Sequence, residues 1–64
     1  MPIIRVEMFS GRPRELKRQL VKELTDTFLR VCGGKPEGVT IVIQDVAKED
    51  WGGAGMLMAD KYPD

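Results

Sequence analysis

The sequence has no histidine, a single cysteine and no long hydrophobic run, and each shortage removes a class of protein. With no histidine, and with Cys32 as the only thiol, one chain cannot build a His/Cys zinc site, a Ser–His or Cys–His pair, or an internal disulfide. No segment approaches the roughly 20 apolar residues of a membrane helix. No basic region followed by an apolar stretch opens the sequence, so we expect no signal peptide and a cytoplasmic location.

The net charge of the chain is zero, but its basic and acidic residues are unevenly distributed. We expect the 64 residues to form one domain. Residues 1–32 carry seven basic and four acidic side chains, for a net charge of +3. Residues 33–64 carry three basic and six acidic side chains, for a net charge of −3. Broad nucleic-acid binding needs a basic excess, whereas a dipolar chain suits self-association. We therefore expect neither a nucleic acid nor a membrane as partner.

The order of apolar patterns predicts an α/β fold made of a single β-α-β unit. Residues 3–9 are rich in β-branched and aromatic side chains, and residues 39–46 form a second predicted strand. Between them apolar side chains recur at helical spacing, from Pro13 at the first helical position to a terminating Gly-Gly pair, so we place a helix at residues 13–32. Two strands joined in this way should be parallel, with a right-handed crossover.

The C-terminal segment predicts a short hairpin. Residues 51–55 are a glycine-rich turn, and residues 56–58 are a short strand. Residues 62–64 are expected to form a loose end. Glu49 and Asp50, which precede the turn, are expected to be solvated rather than catalytic.

Both predicted strands carry apolar side chains on both of their faces. In the first strand Ile4, Val6 and Met8 share one face, while Ile3 and Phe9 lie on the other. A parallel sheet is normally covered on both faces, and one helix covers only one. The edges of a two-stranded sheet also need partners. We therefore expect a homo-oligomer in which exposed sheet faces or helices pack between subunits.

Pro2 is the first candidate for chemistry. A small residue after Met1 usually permits removal of the initiator methionine, which would leave Pro2 as a free secondary amine. The apolar run that follows Pro2 favours burial, which lowers an amine's pKa toward neutrality. A base with a pKa near the working pH is the most effective in proton transfer. The alternative is that Pro2 only starts an edge strand.

Arg12, Trp51 and Cys32 are the other side chains considered. Arg12 precedes the predicted helix, whose N-terminus attracts anions, so it can bind a carboxylate together with the helix; alternatively it is a solvated loop residue. Trp51 is the only tryptophan, and it either walls an apolar pocket or fills an oligomer interface. Cys32, at the apolar end of the predicted helix, is expected in the core.

These positions together resemble the 4-oxalocrotonate tautomerase family over nearly the whole chain. The shared frame is Pro2-Ile3-Ile4, Gly11-Arg12 before an amphipathic helix, the strand at 39–43, and Lys48 followed by an aromatic residue and Gly52. The resemblance implies a β-α-β fold and an assembly, commonly a homohexamer built as a trimer of dimers. It also implies an amino-terminal proline as catalytic base, proton transfer between a carbon and an enol or dienol oxygen, and no metal or organic cofactor.

The resemblance assigns roles to four residues. Pro2 matches the catalytic proline, and Arg12 matches an arginine that binds a substrate carboxylate. Trp51 takes the place of a phenylalanine that lines the pocket and helps to keep the proline's pKa low. Thr40 stands where well-studied members carry a second arginine, contributed by a neighbouring subunit, which polarises the substrate carbonyl.

Thr40 narrows the activity that the resemblance implies. A hydroxyl donates a hydrogen bond but brings no positive charge, and losing a charge-assisted donor costs several kcal/mol of transition-state stabilisation. A 2-hydroxymuconate-type dicarboxylate activity is therefore disfavoured, and a smaller or monocarboxylate enol is favoured. Compensation by Arg5, Lys35 or Lys48 is the alternative.

The leading hypothesis is a cofactor-free keto–enol tautomerase acting on a small enol or 2-oxo carboxylic acid. A second is a proline-dependent enzyme acting on another bond, ranked lower because no additional acid or water-activating group is evident. A third is a non-catalytic or partner-dependent oligomeric subunit, marked by Thr40. A small DNA-binding protein is disfavoured because acidic residues are interleaved with the basic ones of the helix.

Overall fold

The computed structural model describes residues 1–63 and contains the predicted β-α-β unit and C-terminal hairpin. In chain order the elements are strand β1 (Ile3–Phe9), helix α1 (Arg14–Cys32), strand β2 (Thr40–Val46), the two-residue strands β3 (Gly52–Gly53) and β4 (Met56–Leu57), and the one-turn helix α2 (Met58–Lys61). Single 3₁₀ turns precede β2 and β3, at Pro36–Gly38 and Lys48–Asp50. The α/β fold class predicted from the sequence is confirmed.

Strands β1 and β2 pair in parallel along their whole length, as predicted. The register begins with Ile3 opposite Thr40 and continues residue for residue. Hydrogen bonds extend the ladder past both ends of β1: the Thr40 N–H donates to the Pro2 carbonyl at 3.0 Å, and the Ser10 N–H donates to the Val46 carbonyl at 3.1 Å. The backbone at each end of the sheet is therefore held by the same ladder as its centre.

Helix α1 begins one residue later than predicted because Pro13 keeps an extended backbone, with ψ at 159°. The Pro13 carbonyl still accepts the Lys17 N–H at 3.3 Å, so this proline caps the helix instead of forming its first residue. At the other end Gly33 has a φ of 77°, and its N–H donates to the Leu29 carbonyl at 2.8 Å. That left-handed backbone favours glycine and ends the helix where the sequence predicts.

Helix α1 covers one face of the β1–β2 sheet. On that face Ile4 and Val6 are half-buried, and Lys17 of the helix forms a 2.7 Å ion pair with Asp45 of β2. The opposite face is open at its amino end, where Ile3 is 59% exposed. The alternation of β1 thus produces one covered face and one open face, as the sequence predicts.

The C-terminal hairpin folds against the end of the sheet. Strands β3 and β4 are joined by Ala54 and Gly55, which both have a positive φ, at 53° and 78°. Two-residue turns of this handedness match the twist of the flanking strands. After the hairpin, the Met58 N–H donates to the Trp51 carbonyl at 2.8 Å, and the Met58 side chain is only 9% exposed. This segment therefore contains the best-buried apolar side chain of residues 1–63.

Two local predictions are wrong. Tyr62 is not part of a loose end: its N–H donates to the Met58 carbonyl at 2.9 Å, and its own carbonyl accepts the Lys48 Nζ at 3.0 Å. Of the remainder of that predicted end, Pro63 is exposed and outside any helix or strand, and Asp64 lies outside the described residues. Cys32 is exposed rather than in the core. The neighbouring Val31 is 69% exposed as well, so the last turn of α1 is not covered by the rest of the described chain.

The chain is too elongated to enclose a core by itself. Its radius of gyration is 14.9 Å and its principal extents are 43 × 24 × 15 Å, whereas a compact domain of this length has a radius of gyration of about 11 Å. Large apolar side chains are exposed along β1, α1 and β4, including Ile3, Leu16, Val31, Met56 and Leu57. These surfaces are of the kind that packs between subunits. Within the described chain, none of the helices is long and apolar enough to cross a membrane.

Candidate functional site

Pro2 and Thr40 lie side by side at the amino end of the β1–β2 sheet. The Thr40 N–H donates to the Pro2 carbonyl at 3.0 Å, and Thr40 is paired with Ile3 in the ladder. Pro2 is half-buried, and Thr40 is exposed. The sequence offers both residues separately, and the parallel register brings them together.

Arg12 lies at the other end of the sheet, in the loop between β1 and α1. Gly11 has a φ of 107°, a left-handed backbone suited to glycine, and turns the chain before the arginine. The Arg12 Nη1 donates to the Phe9 carbonyl at 3.0 Å, while the residue as a whole is exposed. This bond uses one of five guanidinium N–H donors, so an exposed fork remains available to an anion.

Trp51 lies at the same end of the sheet as Arg12, because its ring packs on Phe9, whose carbonyl accepts the Arg12 hydrogen bond. The Trp51 and Phe9 rings are 4.7 Å apart between centroids and tilted by 58°, which is a favourable aromatic geometry. Phe9 is the site residue that the sequence reasoning missed. Alternation along β1 places it on the face opposite α1, but only the folded hairpin shows that Trp51 covers it.

Two depressions open beside this aromatic pair. A small cleft of about 220 Å³ is lined by Glu7, Val46, Asp50, Trp51 and Gly52. A larger groove of about 540 Å³ lies between the β1–α1 loop and α2, and its lining includes Ser10, Gly11, Lys48 and Tyr62. Arg12 lines neither of them but a third groove of about 410 Å³, together with Met8 and Leu16. The carboxyl end of the sheet therefore carries an aromatic wall and a guanidinium in separate clefts of the single chain. Ligands of open α/β sheets generally bind at this end of the strands.

The structure does not bring Pro2 together with Arg12 and Trp51 within one chain. Pro2 precedes the first residue of β1, whereas Phe9, which contacts both other side chains, is its last. At about 3.3 Å per residue, the path from Pro2 to Phe9 is roughly 23 Å. A small substrate cannot bridge that distance. The candidate residues of one copy therefore form two separate groups, the amino half-site (Pro2 and Thr40) and the carboxyl half-site (Phe9, Arg12 and Trp51).

The cations near the two half-sites differ in how they are held. Lys48 donates to the Tyr62 carbonyl at the carboxyl end of the sheet, remote from Thr40. Arg5 is exposed on β1, two residues from Ile3. Lys22 belongs to neither half-site and lies on the solvent side of α1. Its pKa is raised because it donates a hydrogen bond to the Asp26 carboxylate and is attracted by the negative charge of that group.

The chemistry available to each half-site follows from its groups. The amino end offers a hydroxyl donor and, once Met1 is removed, a secondary amine that can accept a proton. The carboxyl end offers a guanidinium and aromatic surface, which suit a planar carboxylic acid. Among residues 1–63 there is no cluster of three or more cysteine, aspartate or glutamate side chains placed to hold a metal ion.

Comparisons with known proteins show what this chain is similar to over nearly its whole length. A family model described as tautomerase enzyme matches residues 2–61. A probable tautomerase of Ralstonia nicotianae is 31% identical over 61 residues, which cover 95% of this chain and 94% of the relative. A 4-oxalocrotonate tautomerase isozyme structure from Methylibium petroleiphilum aligns with a TM-score of 0.91 at 32% identity, over 94% of each chain.

A second solved structure adds information on assembly. It is a heterohexameric 4-oxalocrotonate tautomerase from Chloroflexus aurantiacus, and it aligns with a TM-score of 0.88 at 28% identity, over 94% of this chain and 97% of that one. The family match and the structural likeness both extend over nearly the whole chain. This chain therefore belongs to the tautomerase family, and membership supports an isomerase function of the tautomerase type.

Proposed function

We propose that this protein is a keto–enol tautomerase that acts on a small enol or 2-oxo carboxylic acid without a cofactor. Pro2 serves as the general base after Met1 is removed. The observation that carries the proposal is the position of Pro2: it is half-buried and tied by its carbonyl to Thr40, at the amino end of a rigid parallel ladder. A base fixed in this way transfers protons efficiently to and from a substrate held beside it.

The proposed reaction moves one proton within the substrate. The Pro2 nitrogen takes the proton from the enol hydroxyl, the oxygen becomes a carbonyl, and the electron pair of the carbon–carbon double bond accepts the proton back at carbon. The base is regenerated, and nothing is oxidised or reduced. With Met1 attached the Pro2 nitrogen is an amide, so the activity depends on removal of that residue.

The proposed site is completed by a second copy of the chain. The Pro2–Thr40 half-site and the Phe9–Arg12–Trp51 half-site are roughly 23 Å apart in one copy. The elongated chain also exposes apolar surface that association would cover. We therefore place Arg12 of one copy at the substrate carboxylate and Trp51 of that copy against the substrate, beside Pro2 of another. A homohexamer, built as a trimer of dimers, is the assembly that we propose.

A second candidate function is a partner-dependent or non-catalytic subunit of the same fold. The observation that favours it is Thr40, an uncharged side chain at the position where the resemblance implies an arginine contributed by a neighbouring subunit. The relative from Chloroflexus aurantiacus is a heterohexamer, so unlike subunits occur among proteins similar to this chain. In that case a different chain would supply the missing cation.

The experiment follows the ultraviolet absorbance of phenylenolpyruvate, a monocarboxylate enol, as it is converted to the keto form. Intact mass first establishes that Met1 is absent. Pro2→Ala should then lower kcat/KM by about 10²–10⁴-fold, the usual contribution of a general base. Pro36→Ala, in the exposed 3₁₀ turn, is the matched proline control and should keep wild-type turnover.

The two candidates give different results in this assay. Pro2-dependent turnover by the single chain supports the tautomerase. Turnover that is equal in the wild type and Pro2→Ala would overturn the role of Pro2. Absence of turnover from a Met1-free, correctly assembled protein would favour the partner-dependent subunit.

A further inference from the structure

Thr40 leaves the amino half-site without the positive charge that a 2-oxo acid would need there. We infer that Arg5 supplies this charge and determines the specificity of the site for 2-oxo carboxylic acids; the inference rests on the proposed tautomerase function. Its basis is the placement of Arg5 and Thr40 on one face of the β1–β2 sheet. Neither residue lies under α1, and both are exposed.

The register of the two strands fixes this placement. Ile3 pairs with Thr40, and Arg5 pairs with Val42. Because side chains alternate along a strand, Ile3, Arg5 and Thr40 all point away from the face that α1 covers. Adjacent strands lie about 4.8 Å apart and two residues rise about 6.6 Å, so the Cα atoms of Arg5 and Thr40 are roughly 8 Å apart. A fully extended arginine side chain can therefore bring its guanidinium to a group held at the Thr40 hydroxyl.

The Arg5 guanidinium has no other partner in the part of the chain that the structure describes. Among residues 1–63 it makes no hydrogen bond or ion pair. Its planar fork of N–H donors suits the paired oxygens of a 2-oxo acid, in which a carboxylate lies beside a carbonyl or enol oxygen. The alternative is that Arg5 is a solvated side chain with no binding role, in which case its removal would leave the KM unchanged.

The other two candidate cations are placed less well. Lys48 is hydrogen-bonded to Tyr62 at the carboxyl end of the sheet. Lys35 lies in the loop between α1 and β2, just before the Pro36–Gly38 turn, and is not part of the sheet. Arg5 alone of the three shares both the end and the face of Thr40. Since Arg5 and Thr40 belong to one rigid sheet, Arg5 accompanies Thr40 into whichever copy's site Thr40 enters.

The first test measures phenylenolpyruvate ketonisation by Arg5→Met and Arg5→Lys. Loss of a charge-assisted contact predicts that kcat/KM falls roughly tenfold to hundredfold in Arg5→Met, chiefly through KM, with an intermediate loss in Arg5→Lys. Arg30→Met, an exposed arginine in the last turn of α1, is the charge-matched control and should match the wild type. Arg5→Met with the wild-type KM would overturn the inference.

The second test restores the arginine that the resemblance implies. If Arg5 substitutes for that arginine, Thr40→Arg should make Arg5 dispensable. The change Arg5→Met should then lower kcat/KM by no more than about threefold in the Thr40→Arg background. Equal losses in both backgrounds would show that Arg5 acts independently of Thr40, and would contradict the inference.

Two further measurements keep this inference separate from the proposed function. Turnover that Pro2→Ala abolishes and Arg5→Met leaves intact would refute Arg5 alone. If no variant turns over, calorimetric binding of phenylpyruvate decides: Arg5→Met should weaken binding about tenfold, and unchanged binding would refute the inference. Sedimentation checks that each variant assembles. If Arg5→Met dissociates, the kcat/KM of the charge-retaining variant Arg5→Lys is compared with that of the wild type instead, and equal values would refute the inference.

Discussion

The two ends of the β1–β2 sheet are built differently, although a single ladder of hydrogen bonds joins them. At the carboxyl end the hairpin, α2 and the Lys48–Asp50 turn pack together, and Met58, only 9% exposed, lies among them. At the amino end Ile3 is 59% exposed and Thr40 faces solvent. The end that carries the proposed base is therefore the end with the least packing of its own.

This difference shows which part of the site a single copy can preorganise. The Phe9–Trp51 aromatic wall and its adjoining cleft are already in place, and Arg12 is fixed at the same end of the sheet by its hydrogen bond to the Phe9 carbonyl. The Pro2 end has a fixed backbone but lacks walls to exclude water. An active site needs both properties, since electrostatic and proton-transfer catalysis depend on fixed groups in a water-poor cavity. A second copy that lays its carboxyl end over the Pro2 end of the first would supply what is missing.

The largest expected effect on stability is at Met58, because the packed end depends on it. Met58→Ala should lower the free energy of unfolding by about 2–4 kcal/mol through lost burial and a residual cavity. Urea unfolding at a fixed protomer concentration measures this. Met56→Ala, at a residue 50% exposed in the single chain, is the matched control and should cost less. Equal losses would mean that Met58 is no better packed than Met56, which would contradict the close packing described for the carboxyl end.

The next effect is on substrate binding at Arg12. Arg12→Ala should raise KM for a monocarboxylate enol roughly tenfold to hundredfold, because a hydrogen-bonded charge pair is lost, with a smaller change in kcat. Arg14→Ala, at the first residue of α1, is the control and should leave KM unchanged. An unchanged KM in Arg12→Ala, together with Pro2-dependent turnover, would remove Arg12 from the binding site.

The smallest expected effect is at the tip of the hairpin. Ala54 has a φ of 53°, which costs a residue with a side chain about 1 kcal/mol that glycine avoids. Because glycine also gains unfolded-state entropy, Ala54→Gly should change the free energy of unfolding by no more than about 1 kcal/mol, in the stabilising direction. Gly55→Ala should have the opposite sign, since Gly55 has a φ of 78°. Destabilisation by Ala54→Gly would show that the turn is not strained.

Local signals in the sequence were sufficient for most of the fold. Alternation identified β1, helical spacing and a glycine terminator placed α1 to within one residue, and two strands around one helix predicted the parallel pairing. Each of these signals is carried by residues close together in the chain, where the backbone determines which side chains share a face. The exposure of Cys32 could not be predicted in this way, because helical spacing indicates which face of α1 is apolar but not how much of that face the sheet covers.

The candidate site was less predictable because its geometry depends on residues far apart in the chain. Pro2 and Thr40 are 38 positions apart, and only the register of the parallel strands places them side by side. The contact of Trp51 with Phe9 needs the folded hairpin. The family resemblance implies that Pro2, Arg12, Thr40 and Trp51 belong to one kind of site, but nothing local in the sequence indicates that one chain keeps them at opposite ends of a strand.

Subunit complementation tests the central claim, that Pro2 of one copy works with Arg12 of another. Pro2→Ala and Arg12→Ala proteins, both free of Met1, are unfolded together in urea, refolded as a mixture, and assayed with phenylenolpyruvate at low concentration. Each protein refolded alone is the control. We predict that the mixture is clearly more active than the sum of the two controls, because Pro2 from one variant meets Arg12 from the other. Activity equal to that sum, in a mixture shown by mass spectrometry to contain mixed oligomers, would contradict a site shared between copies.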